Sequence, residues 1–255
     1  MDDAGEGPSS PLLDLIAMSR ISLRNVTVDY PIYNSRSMSL RNNLIAIGTG
    51  GRISKETRGI VSVTALDDIT LELEHGDRVG LAGHNGSGKS TLLRTMAGVF
   101  RPVKGQIHVE GRVSTVFGLG AGLVPELSGY ENIVRMAMML GSTRSEAEAI
   151  IEDVERFSEL GNFLSVPVST YSDGMRTRLS FGVATAAHPD ILLVDEVFGA
   201  GDAEFQKRAE RRMEEFIEKS SIFVLASHNS QLLERFCNRS IRLEHGKIIE
   251  SEETA

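Results

Sequence analysis

The chain has no tryptophan, four tyrosines and a single cysteine. Its core is therefore expected to be aliphatic. Cys237 alone cannot form an internal disulfide, which fits a reducing compartment, and it reads as a small buried hydrophobe near a helix end. No apolar run approaches the roughly 18 residues that a membrane span needs. The amino terminus has no basic region ahead of an apolar core, so it does not read as a secretory signal. Any membrane role is expected to be peripheral. Positive charge is in deficit, with 27 basic against 35 acidic residues and a net charge of −8. That balance argues against indiscriminate nucleic-acid binding and leaves room for a local basic patch.

With 255 residues and 41% hydrophobic content, one large α/β domain is expected. Its centre is residues 78–97, which read as a buried strand, a glycine-rich turn and a helix. Gly83-x-x-Gly86-x-Gly88-Lys89-Ser90 has the spacing at which successive backbone N–H groups curl around phosphate. The helix beginning near Lys89 adds its unpaired amino-terminal donors and positive dipole end. Gly83, His84, Asn85, Gly86, Ser87, Gly88, Lys89, Ser90 and Thr91 are the candidate phosphate-binding residues. Lys89 is expected to reach the β- and γ-phosphates, and Ser90 to ligate Mg²⁺.

Around this stretch the pattern alternates. Residues 1–19 are acidic and rich in Gly and Pro, and read as a flexible arm. Residues 20–28 alternate as an edge-type strand that Pro31 should break. Between 20 and 58 seven basic residues face two acidic ones, which is either a solvated loop or a surface for anionic lipid or a phosphate-bearing cargo. A strand pattern returns over 60–74, and 105–118 reads as one strand region interrupted at Gly111. Residues 118–129 are glycine-dense. Residues 130–170 read as a mainly helical insertion, with a capping box expected at Ser145 and Glu148. A helix over 174–187, a buried strand at 191–194, a helix over 203–219, a buried strand at 222–226 and a closing hairpin follow. Continuous apolar strands alternating with helices predict a parallel sheet covered by helices.

An ATPase must hold Mg²⁺, neutralise phosphate and orient a water. Asp195 ends an apolar strand, which places it at the carboxyl edge of the sheet near Ser90. Glu196 beside it can polarise an attacking water through one hydrogen bond, as a general base. His228 ends the next strand and is a candidate γ-phosphate contact.

These pieces closely resemble the nucleotide-binding domain of ABC transporters. The phosphate loop, Tyr171-Ser172-Asp173-Gly174-Met175, Asp195-Glu196, Gly201-Asp202 and Ser227-His228 occur in that family's order and spacing over about 60–250. The Tyr-Ser-x-Gly-Met form, Gly199–Gln206 and Leu119–Asn132 resemble the ATPases that export O-antigen, teichoic acid and capsule. The resemblance implies a P-loop NTPase fold with a mostly parallel core sheet, an antiparallel β subdomain and a helical subdomain at about 125–185. It implies ATP and Mg²⁺ as cofactors, with Ser90 and Asp195 at the metal. It implies a head-to-tail homodimer in which Ser172 and Gly174 of one copy cap ATP held by Lys89 of the other. Asp202 would link the two sites, and Tyr30 or Tyr33 would stack on adenine.

A membrane transporter subunit is the implied partner and a lipid-linked glycan the implied cargo, at the cytoplasmic face of the inner membrane, with no nucleic acid expected. Two features depart from the family. The glutamine usual near 116–122 is absent, because the glutamines are Gln106, Gln206 and Gln231. Asp173 puts a carboxylate beside the expected phosphate. About 27 residues follow His228, too few for the carboxyl-terminal glycan-binding sandwich of some relatives. The competing readings are a non-transport ABC ATPase of translation or DNA handling, and an ATP-gated scaffold with little turnover.

Overall fold

The computed structural model describes residues 19–32, 53–55, 61–116, 122–186, 189–195 and 203–253. The acidic arm and most of the basic 30–58 segment lie outside the described residues. In chain order the first elements are β1 (Arg20–Ile32), β2 (Ile53–Lys55), β3 (Val61–Leu73), β4 (Arg78–Ala82), α1 (Lys89–Met96), β5 (Lys104–Glu110) and β6 (Val113–Val116). Next come α2 (Gly129–Met139), α3 (Arg144–Ala149), α4 (Ile151–Ser158), two short 3₁₀ turns and α5 (Asp173–Ala186). The chain then runs through β7 (Ile191–Asp195), α6 (Ala203–Lys219), β8 (Ile222–Ala226), α7 (Ser230–Phe236), β9 (Arg239–Glu244) and β10 (Lys247–Glu253).

Two sheets result. One is antiparallel, in the order β2-β3-β1-β5; the other runs β10-β9-β4-β8-β7-β6. In the second, β9, β4, β8, β7 and β6 are parallel and only β10 is antiparallel. Parallel neighbours put their carboxyl ends on one edge, so the phosphate loop after β4, Asp195 at the end of β7 and Ser227 after β8 share that edge. The apolar runs are the reason. Ile191 to Val194 and all of β8 are buried, as a strand covered on both faces requires.

Three apolar clusters hold the layers. Leu92, Leu93 and Met96 of α1 pack between the sheets against Leu66, Val79, Leu81 and Ile241. Phe205, Ala209, Met213, Phe216 and Ile217, spaced as one face of α6, cover Leu192, Val194, Phe223 and Leu225. Each of the larger side chains, Phe, Met, Leu, Ile and Val, contributes about 1.5–3 kcal/mol on burial. The helical insertion has its own core of Ile133, Ala137, Val154, Leu164, Leu179 and Val183.

Several expectations needed correction. β1 is not an edge strand, since β3 and β5 pair with its two sides. It also runs through Pro31 to Ile32. The last residue of β1 paired with β5 is Thr27, so Pro31 meets a partner only at Ser62 of β3 and its missing N–H costs no bond on the β5 side. Residues 105–118 are not one strand region. At Gly111, with φ 112°, the chain leaves one sheet for the other, and the Arg112 N–H donates to the Asp190 carboxylate at 2.7 Å. The capping box starts at Thr143 with Glu146 rather than at Ser145 with Glu148.

Candidate active site

The phosphate loop is shaped by glycine where nothing else fits. Gly83 has φ 144°, and a Cβ there would run into the carbonyl oxygen of Leu243. Gly88 has φ 118° and sits against the Ala65 carbonyl. The loop is braced from behind by the β9–β10 turn. Gly246 N–H donates to Ser87 O at 2.8 Å, and Asp67 N–H donates to Gly246 O at 2.8 Å. α1 starts directly from Gly88, with no side-chain cap on its first donors.

Within this curl the Lys89 ammonium donates to Gly83 O at 2.6 Å and to His84 O at 3.2 Å. Partial burial pushes its pKa below the ordinary lysine value, and the nearby Asp195 carboxylate pulls it back up. A cation held so close to the loop, short of water, is poised to exchange backbone carbonyls for phosphate oxygens.

A cavity of about 300 Å³ opens here, lined by Tyr30, Asn85, Gly86, Gly88, Lys89, Ser90, Thr91 and Asp195 among others. The structure therefore brings together the loop, the strand-end carboxylate and one of the two candidate tyrosines. Tyr30 is fixed on two sides. Its hydroxyl lies 3.2 Å from Thr91 Oγ1, and its ring meets Phe100 edge-on at 5.1 Å between centroids. Phe100 was not anticipated, although an aromatic just past the loop helix is a visible signal. Ser90 and Asp195 supply a hydroxyl and a carboxylate, the hard oxygen donors that suit Mg²⁺. Among the described residues no group of three or more His, Cys, Asp and Glu could hold a metal by itself.

Several other predicted residues are not part of this lining. Gly83, His84, Ser227 and His228 line a separate one of about 450 Å³ with Arg242. His84 also meets His245 edge-on, 5.4 Å between ring centres, on the bracing turn. Ser172 is exposed at the start of α5, where its Oγ accepts the Met175 N–H at 3.2 Å. Gly174 is open, its nearest outside atom being Ser172 Oγ at 3.9 Å from where a Cβ would stand. Asp173 is fully exposed to solvent, and its carboxylate lies 3.6 Å from the Arg176 guanidinium, whose charge offsets it. Tyr33, Glu196 and Asp202 lie outside the described residues.

Residues 66–199 match the sequence pattern of the ABC transporter family. This chain belongs to that family. An ABC ATPase is also what its relatives indicate. It is 57% identical over 233 residues to the O-antigen export system ATP-binding protein RfbE of Yersinia enterocolitica, covering 91% of this chain and 98% of that protein. It is 36% identical to RfbB of Klebsiella pneumoniae, named likewise, over 90% of this chain and 92% of that one. The teichoic acids export ATP-binding protein TagH of Bacillus cereus is 35% identical over 90% of this chain, which spans 40% of TagH. The ABC ATPase of this chain thus falls in the polysaccharide export group. Among solved structures, the dimeric ATP-binding cassette MJ0796 with ADP and Pi superposes with a TM-score of 0.68 at 20% identity, over 92% of this chain and 99% of that one. At that identity the likeness speaks for the fold.

Proposed function

We propose that this ABC ATPase works as a head-to-tail homodimer driving a membrane subunit that exports a lipid-linked, O-antigen-like polysaccharide. It would act as a peripheral subunit at the cytoplasmic face of the inner membrane. No helix among the described residues is long and apolar enough to cross a membrane. The observation that carries the reading is the pairing of one recessed helix start, α1 above Lys89, with one exposed helix start, α5 behind Ser172. Both present amino-terminal dipole ends suited to phosphate, and a head-to-tail pair would bring one of each to a single triphosphate.

In this mechanism Lys89 trades the Gly83 and His84 carbonyls for β- and γ-phosphate oxygens. Tyr30, already fixed by Thr91 and Phe100, is the tyrosine that stacks on adenine. Ser90 and Asp195 would hold Mg²⁺, which would supply positive charge to offset that of the phosphates. Glu196 polarises the attacking water, His228 contacts the γ-phosphate, and Asp202 links the two sites. Ser172 and Gly174 of the partner close the site.

The test traps the closed state. Glu196→Gln with Mg-ATP is expected to run as a dimer in size-exclusion chromatography and to revert to monomer when Ser172→Arg is added. A Glu196→Gln dimer that Ser172→Arg leaves intact removes the head-to-tail reading. Co-purification with a multi-span membrane subunit tests the export role, and a stable complex with ribosomes or DNA instead would overturn it.

A further inference from the structure

Asn132 is uncharged, fully buried and in the first turns of α2. Its Oδ1 accepts the Val124 N–H at 2.8 Å. Its Nδ2 lies 3.0, 3.1 and 2.9 Å from the carbonyl oxygens of Val124, Leu127 and Ser128. One side chain thus ties together three residues of loop 122–128, accepting the Val124 N–H and adding a second donor to carbonyls that backbone N–H groups already meet. Arg135, one turn on, reaches the Gly122 carbonyl and ties the start of the same loop.

The loop is tied at its other side too. Val168 N–H donates to Leu127 O at 2.9 Å, and Ser169 N–H to Pro125 O at 2.8 Å. Ser128 and Pro167 form a bridge. Tyr171, buried, donates its hydroxyl to Phe163 O at 2.5 Å. The next residue is Ser172. At its upstream end the same stretch of chain comes from β6, whose last residue, Val116, pairs with Val194 beside Asp195.

We propose that Asn132 is a positioning residue for ATP hydrolysis. It fastens loop 122–128, which in turn holds segment 167–172, so that the loop sets where Ser172 stands. This rests on the reading in which Ser172 caps the ATP of the partner copy.

The experiment uses the full chain as wild type, Asn132→Ser and Arg135→Ala, with Mg-ATP as ligand. Backbone hydrogen exchange is read at Val168 and Ser169, and at β8 amides as a control, alongside kcat, KM and binding of a fluorescent ATP analogue. Asn132→Ser is expected to speed exchange at Val168 and Ser169 about 10-fold while β8 keeps its wild-type rate. It should lower kcat about 10-fold with KM and analogue binding within about two-fold of wild type. Arg135→Ala should move both readouts the same way by about three-fold. Unchanged exchange at Val168 and Ser169, or faster exchange with unchanged kcat, overturns the proposal. If Asn132→Ser does not fold, Arg135→Ala decides by the same two readouts. Ser172→Ala that hydrolyses ATP at the wild-type rate would instead remove the capping reading and leave the exchange result standing.

Discussion

The two helix starts that suit phosphate are built in opposite ways. α1 begins inside a cavity, and its loop is packed by β3, by the β9–β10 turn and by its own lysine. α5 begins on the surface, capped by one serine hydroxyl, with an open glycine beside it. The first holds its shape through contacts within one chain. The second has a shape and nothing to close on. A site divided this way lets one event, the meeting of two chains, govern whether the triphosphate is fully enclosed.

The comparison can be broken most severely at the chemistry. Glu196→Gln is expected to lower kcat by about 10²–10⁴ while ATP affinity survives, measured by steady-state hydrolysis and analogue binding. Wild-type turnover there would move the base elsewhere. At the recessed start, Lys89→Ala is expected to weaken ATP binding about 100-fold or more, since charge-assisted bonds to two phosphates vanish together. Calorimetric titration with Mg-ATP reads this.

Smaller effects sharpen the contrast. Tyr30→Ala is expected to cost about 10-fold in ATP affinity, as a lost stacking surface does, while Tyr30→Phe, which loses only the Thr91 contact, stays within about three-fold. At the exposed start, Asp173→Asn should change folding stability by less than about 0.5 kcal/mol in denaturant titration, because its contact with Arg176 is solvated. The smallest effect concerns acid. Hydrogen bonds from Ser128 and Thr143 hold the Glu131 and Glu146 carboxyls below the usual carboxylate range. A carboxyl depressed by folding stabilises above its unfolded pKa and loses that contribution as pH falls through its folded value. Glu131→Gln with Glu146→Gln should therefore lower the melting temperature slightly near neutrality and flatten its fall below pH about 4.5.

Much of this was legible in residue order because single positions carry it. The loop glycines and Lys89 declare phosphate binding, and the charge-rich stretch read as a helix over 203–219 is α6, Ala203–Lys219. Less visible were choices between equal local signals. Thr143-x-x-Glu146 and Ser145-x-x-Glu148 overlap as capping boxes, and only the start of α3 selects the first. Gly111 reads as a pause in one strand, and the pairing of β6 with β7 makes it a change of sheet. Asn132 gave no signal as a hub, because a buried amide is recognised by the backbone groups around it.

The β9–β10 turn has a consequence for synthesis. The back wall of the phosphate loop is made of Leu243 and Gly246, far downstream of Gly83 and Ser87. A nascent chain halted before residue 239 carries every letter of the loop and its β3 wall, and lacks Leu243 and Gly246. The loop gains this back wall only when the closing hairpin has emerged and docked, so the last strands to be made complete the shape of a motif made long before them.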